Sequence, residues 1–178
     1  MRASTELHDR VAELLTYPGP DSADAVKRAI HHVSEALPEA GAHLADLATL
    51  AADGAPGEFE EKFCHTFDNN ADRALEIGWQ IWGENYDRGA FLVRMRSLMR
   101  TVGVPETAEL PDHMSHALRV LGRLPEEAAR NLVITTVLPA ARKMRDGFKD
   151  EVNPYRGALE TVVLVLESHV EALEPIDV

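Results

Sequence analysis

Cysteine occurs once, at Cys64, so the chain can form no internal disulfide and no cysteine-built zinc cluster. That scarcity fits a reducing compartment and leaves Cys64 as a small helix side chain. Long hydrophobic runs are also missing. The greasiest, Val162 to Leu166, falls far short of the ~20 residues a membrane-spanning helix needs. No apolar segment follows Arg2, which excludes a secretory signal and predicts a cytoplasmic protein with no membrane insertion. Positive charge is scarce: 18 basic residues face 30 acidic ones, a net charge of −12 that repels nucleic acid and suits a cationic partner. There is no glycine-rich loop ending in Lys-Ser or Lys-Thr to cradle a phosphate, and no glycine-flanked nucleophilic serine.

What is present is helical periodicity. Apolar residues return every three or four positions with proline and glycine between blocks, which predicts an all-α, single-domain bundle of about seven to nine helices over residues 1–178. Leu7, Val11, Leu14 and Leu15 mark a first helix, capped by Ser4 or Thr5 and ended by Pro18-Gly19-Pro20. A second runs from about Asp24 to Leu37. A third uses Leu44, Leu47, Leu50 and Ala51, before the turn Gly54-Ala55-Pro56-Gly57. Phe59, Phe63 and Phe67 form one stripe of a fourth. Gly78-Trp79-Gln80-Ile81-Trp82-Gly83 reads as a short helix or an irregular connection. Asn85 to Val102 is a clear helix stopped by Gly103, and Pro111 or Asp112 starts the next. Pro125 opens a helix to about Phe148 with a kink or break near Pro139, and a last one spans about Tyr155 to Leu173.

Charge is unevenly spread. Residues 1–87 carry 6 basic and 17 acidic side chains, whereas residues 88–101 hold Arg88, Arg94, Arg96 and Arg100 with no acid. Stepping 100° per residue puts Arg88 on the same face as Phe91, Leu92, Met95, Leu98, Met99 and Val102. Arg94, Arg96 and Arg100 fall outside that face, on solvated surface. An arginine aimed at the core needs a carboxylate partner, because unpaired burial costs several kcal/mol. Asp68 and Asp112 are the candidates for a clasp through Arg88.

Phe63 to Asp68 at a helix end, Asp87-Arg88-Gly89 opening a long helix, the Gly103 stop and Leu110-Pro111-Asp112-His113 come in a characteristic order. In this the chain resembles the TorD/NarJ group of redox-enzyme maturation chaperones, most closely the NarJ-like nitrate reductase delta-subunit branch, over most of its length. It departs from that branch at Cys64-His65, where an aromatic residue is usual, and at Arg119, where a glutamate is, which leaves the client's identity open. The resemblance implies an all-α protein, not an enzyme, that needs no cofactor of its own. It implies binding to the N-terminal or signal segment of a molybdenum-cofactor oxidoreductase's catalytic subunit until cofactor insertion is complete, with delay of twin-arginine export in many members.

On this reading the partner peptide meets Asp68, Trp79, Trp82, Arg88, Leu110, Pro111, Asp112, His113 and Met114, apolar walls and acids serving a basic segment. Monomer and dimer both remain open. Two other readings stand beside it. His113 and His116, three apart on a helix with Asp112 adjoining, suit a metal-dependent hydrolase, although no third ligand is evident. A helical adaptor with no maturation role is the other.

Overall fold

The computed structural model describes residues 3–19, 22–55, 57–149 and 152–171. Met1, Arg2, Pro20, Pro56 and the expected helix end at Leu173 lie outside them. Eleven α-helices follow one another: α1 (Thr5–Leu14), α2 (Ser22–Ala36), α3 (Pro38–His43), α4 (Ala45–Asp53), α5 (Glu58–Phe63), α6 (Ile77–Trp82), α7 (Tyr86–Val102), α8 (Met114–Leu121), α9 (Glu126–Leu132), α10 (Leu138–Asp146) and α11 (Arg156–Glu171). A π-helical turn at Val133–Val137 joins α9 to α10, so the described residues form 10 continuous helical rods and no strand. The fold is all-α. The rod beyond the expected range comes from Pro38, which ends α2 and starts α3 as a first-turn proline.

Helix ends follow local chemistry. The Ser4 hydroxyl accepts the Leu7 N–H at 3.1 Å and starts α1, and the Asn85 side chain does the same for α7 at the Asp87 N–H. Gly103, at φ 73°, closes α7 in the left-handed conformation that suits glycine. Pro139 offers no N–H to Thr135, and the wide turn just before it, with the Leu138 N–H reaching the Val133 carbonyl, absorbs that loss without breaking the rod.

The core gathers around α11. Ala158, Leu159, Val162 and Leu166 are fully buried, and the helix touches α1, α3, α4, α9 and α10. Gly157 lies against the His43 carbonyl too closely for any side chain. At one end of the bundle Phe59, Phe63 and Phe67 surround Tyr155, with ring centroids 6.0, 5.5 and 5.2 Å away. A second π turn, Cys64–Asp68, follows α5 and keeps Phe67 on this cluster, where its centroid is 5.0 Å from Phe63. Phe67 is thereby fixed inward, and Asp68, the next residue, is exposed.

Candidate functional site

Two backbone hydrogen bonds bring distant segments together. Ile77 N–H donates to the Asp112 carbonyl at 2.9 Å and Met114 N–H to the Leu75 carbonyl at 2.8 Å, pairing Glu76 with His113 in an isolated antiparallel bridge. The turn at 110–113 is thus held against the start of α6. Asp112 is fully buried there, and its Oδ2 accepts the Gly78 N–H at 2.8 Å, satisfying a first-turn donor of α6 from 34 residues away. This changes the expected helix start. The Asp112 carboxylate is turned toward α6, and α8 begins at Met114, where His113 Nδ1 accepts the Ser115 N–H at 3.3 Å.

Arg88 completes the junction. Its Nε stands 3.9 Å from Asp112 Oδ2, an ion pair without a hydrogen bond, and its guanidinium lies 5.8 Å from the Trp79 ring centroid. Asp112 Oδ1 has no hydrogen-bond partner among the described residues. Burial therefore outweighs the Gly78 N–H and Arg88, and the Asp112 pKa is raised above its ordinary value. Gly78 is required by contact: a Cβ there would sit 2.7 Å from Asp112 Oδ2 and 2.9 Å from Arg88 Cγ. Gly78→Ala is expected to destabilise the protein by about 2 kcal/mol, a fall of roughly 4–8 °C in Tm by calorimetry. An unchanged Tm would show that the junction is loose.

Beside this junction opens a cleft of about 260 Å³, lined by Phe63, Phe67, Asp68, Ala74, Leu75, Glu76, Glu109 and His113. Among the described residues three carboxylates and no cationic side chain line it. Burial raises the Glu76 pKa, and the charges of Asp112 and Glu109 add to the effect. Burial lowers the His113 pKa to about 3, with His116 and Arg119 assisting, so the ring is neutral at physiological pH. Its Nδ1 accepts the Ser115 N–H, which assigns the proton to Nε2. The cleft therefore combines three carboxylates with a floor of nearly buried rings, a set suited to a cationic side chain on an extended or helical peptide.

The sequence pattern of the family described as nitrate reductase delta subunit matches residues 31–160, which include every residue of this junction and cleft. The chain belongs to the nitrate reductase delta subunit family. No curated protein matches it. Membership carries a general role in molybdoenzyme maturation, as a chaperone, with a nitrate reductase-type catalytic subunit as partner.

In this delta-subunit chain the residues singled out in the sequence divide into three groups. Arg88, Asp112 and Trp79 meet at the junction, and Asp68 and His113 line the cleft. Trp82 is half-buried with its ring 5.1 Å from Phe91, Leu110 is exposed, and Pro111 and Met114 are buried. Met114 has no exposed surface, so it supports the turn by packing and offers no contact to a peptide. The clasp expected through both acids forms only with Asp112. Among the described residues no ion pair joins Arg88 to Asp68, which instead raises the pKa of the Cys64 thiol beside it. The reason is the inward anchoring of Phe67, which turns Asp68 to the surface.

Gly78, Glu76 and Glu109 belong to the arrangement and were not singled out. The available signal was Leu75-Glu76-Ile77, an acid between two apolar residues that both prove buried. His113 and His116 do not converge on a shared point. His116 directs Nδ1 to the Leu110 carbonyl at 2.9 Å and Nε2 to Thr107 Oγ1 at 3.0 Å, which fastens the 107–110 loop. Among the described residues no group of three or more potential ligands is arranged to hold a metal, and no helix is long and apolar enough to cross a membrane.

Proposed function

We propose that this chain binds the N-terminal segment of a molybdoenzyme catalytic subunit in the cleft between the Phe63–Asp68 turn and the 109–113 turn. A basic side chain of the segment meets Glu76, Glu109 and Asp68, above a floor made by the nearly buried Phe63, Phe67 and Leu75. The observation that carries this reading is three carboxylates around one cleft, unaccompanied by a lining cation, in a chaperone-family chain. Arg88 and Asp112 act as positioning residues, holding the turn that presents His113 and Glu109. Holding the segment keeps the subunit open for cofactor insertion, and a client bearing a twin-arginine signal is kept from export meanwhile. The proposed place of action is the cytoplasm, where such a client is met before export.

Affinity purification from the native host tests this directly. The expected co-purifying protein is a molybdoenzyme catalytic subunit, captured less by an Arg88→Gln or Asp112→Asn chain. Recovery of no such subunit would count against the reading.

Binding also carries a pH signature. Glu76 must be ionised to attract a cation, and its raised pKa means that protonation begins at a higher pH than for an ordinary carboxylate. Affinity for a basic peptide is therefore expected to fall on acidification from pH 7, starting above 4.5, the ordinary Glu value. Glu76→Gln should remove that component. A titration equally steep in both proteins would reassign the effect to another group.

A further inference from the structure

Helix α7 has one face that the fold leaves uncovered. Of its 17 residues only Phe91, Met95 and Met99 are buried, on the side that rests on α6 and α8. On the opposite side Tyr86, Ala90, Val93 and Ser97 are exposed, Tyr86 by 89% and Val93 by 69%. Their spacing of four, three and four residues aligns them in one seam about 17 Å long, with the a and d spacing by which two helices pair. Large and small side chains alternate along it, which leaves room for a second helix beside Ala90 and Ser97.

Arginines border this seam. Arg94 and Arg96 take the flanking e and g positions on its two sides, Arg100 extends the seam itself, and all three are exposed. Arg96 and Arg100 share one carboxylate, Glu106, at 3.0 and 3.3 Å, while Arg94 has no ion-pair partner among the described residues. Other acids answer them only in part. Glu127 lies across a groove from Arg94 without pairing to it, and Asp87, one heptad before Arg94, sits in the first turn against the positive end of the helix.

We propose that the outer face of α7 docks an acidic amphipathic helix of another protein, its apolar seam against Tyr86, Ala90, Val93 and Ser97 and its carboxylates opposite Arg94 and Arg96. Charge decides the class of partner. A second copy of α7 would set arginine against arginine, and a basic helix would leave all three unpaired. A nucleic acid, charged along its whole length, would meet the field of a chain of net charge −12 beyond this one helix. A short acidic helix is repelled by most of the surface for the same reason. Residues 88–101, with four arginines and no acid, are where that repulsion reverses. The surface is separate from the cleft, where carboxylates serve a basic segment, so probes of opposite sign distinguish the two.

Fluorescence anisotropy with the full chain tests this surface. The probe is a dye-labelled synthetic helix of about three heptads, leucine at a and d and glutamate at e and g, whose own glutamates oppose self-pairing. Saturable binding is expected, weakening as salt rises. Arg94→Glu breaks no ion pair of the fold and sets like charges across one flank, so it is expected to weaken binding about tenfold or more. Tyr86→Ser/Val93→Ser strips the seam of its large apolar groups at exposed positions and should weaken binding by about the same factor. No saturable binding by the wild type, or binding left intact by either variant, would overturn the proposal.

Discussion

Asp112→Ala is expected to lower the melting temperature by roughly 6–12 °C, corresponding to about 3 kcal/mol for a chain of this length. The loss has two sources. Gly78 N–H is buried and would lose its acceptor, and Arg88, with 22% of its side chain exposed, would lose its counter-charge. Asp112→Asn should behave differently. The amide oxygen can still accept from Gly78, while the burial cost of the charge is gone, so stability is expected within about 1 kcal/mol of wild type.

The pH dependence separates these contributions. With the folded-state pKa of Asp112 raised above its ordinary value of 3.8, the folded protein binds more protons than the unfolded chain between the two values. Stability contributed by this site therefore falls as pH rises through that window, and the Asn variant should lose that slope. Denaturant melts at several pH values measure it. If Asp112→Asn proved as damaging as Asp112→Ala at every pH, the charge itself would be holding the fold, contrary to the geometry. A buried carboxylate whose ionisation is opposed by burial stands here beside the cleft proposed to take a cation.

The second large effect concerns binding. Replacing Glu76 and Glu109 together by glutamine is expected to weaken a basic peptide by roughly 30–100-fold, or about 2–3 kcal/mol, because both are half-buried and poorly screened. The fold should not suffer. Glu76 is held with a raised pKa, so its neutral amide relieves a burial cost. Loss of binding with unchanged Tm separates a recognition role from a structural one. Substituting the peptide's arginines by glutamine should bring wild type and variant to similar weak affinity.

Much of this was legible before any coordinates, and the reasons are local. Ser4, Asn85 and Gly103 mark helix ends because capping is decided within a few residues. The projection that turned Arg88 toward Phe91, Met95 and Met99 needed only the helical repeat, and these three are buried in the structure. The direction of Asp112 was not accessible in that way. Beside Pro111 it resembles a cap for the helix that follows, and only the Glu76–His113 bridge reveals that its acceptor role belongs to α6. The cleft is hidden for the same reason, since Glu76 and Glu109 come from separate turns joined by two backbone hydrogen bonds. The sequence offers Asp68 beside Asp112 as a carboxylate for Arg88, but the inward fixing of Phe67 places Asp68 on the cleft wall.

The most direct test is isothermal titration of the full chain with a synthetic peptide, the N-terminal segment of a molybdoenzyme catalytic subunit from the same host, at low and high salt. The expected result is saturable binding that weakens as salt rises and is lost in Glu76→Gln/Glu109→Gln. Equal affinity in wild type and double variant at both salt concentrations would contradict an acidic cleft as the client site.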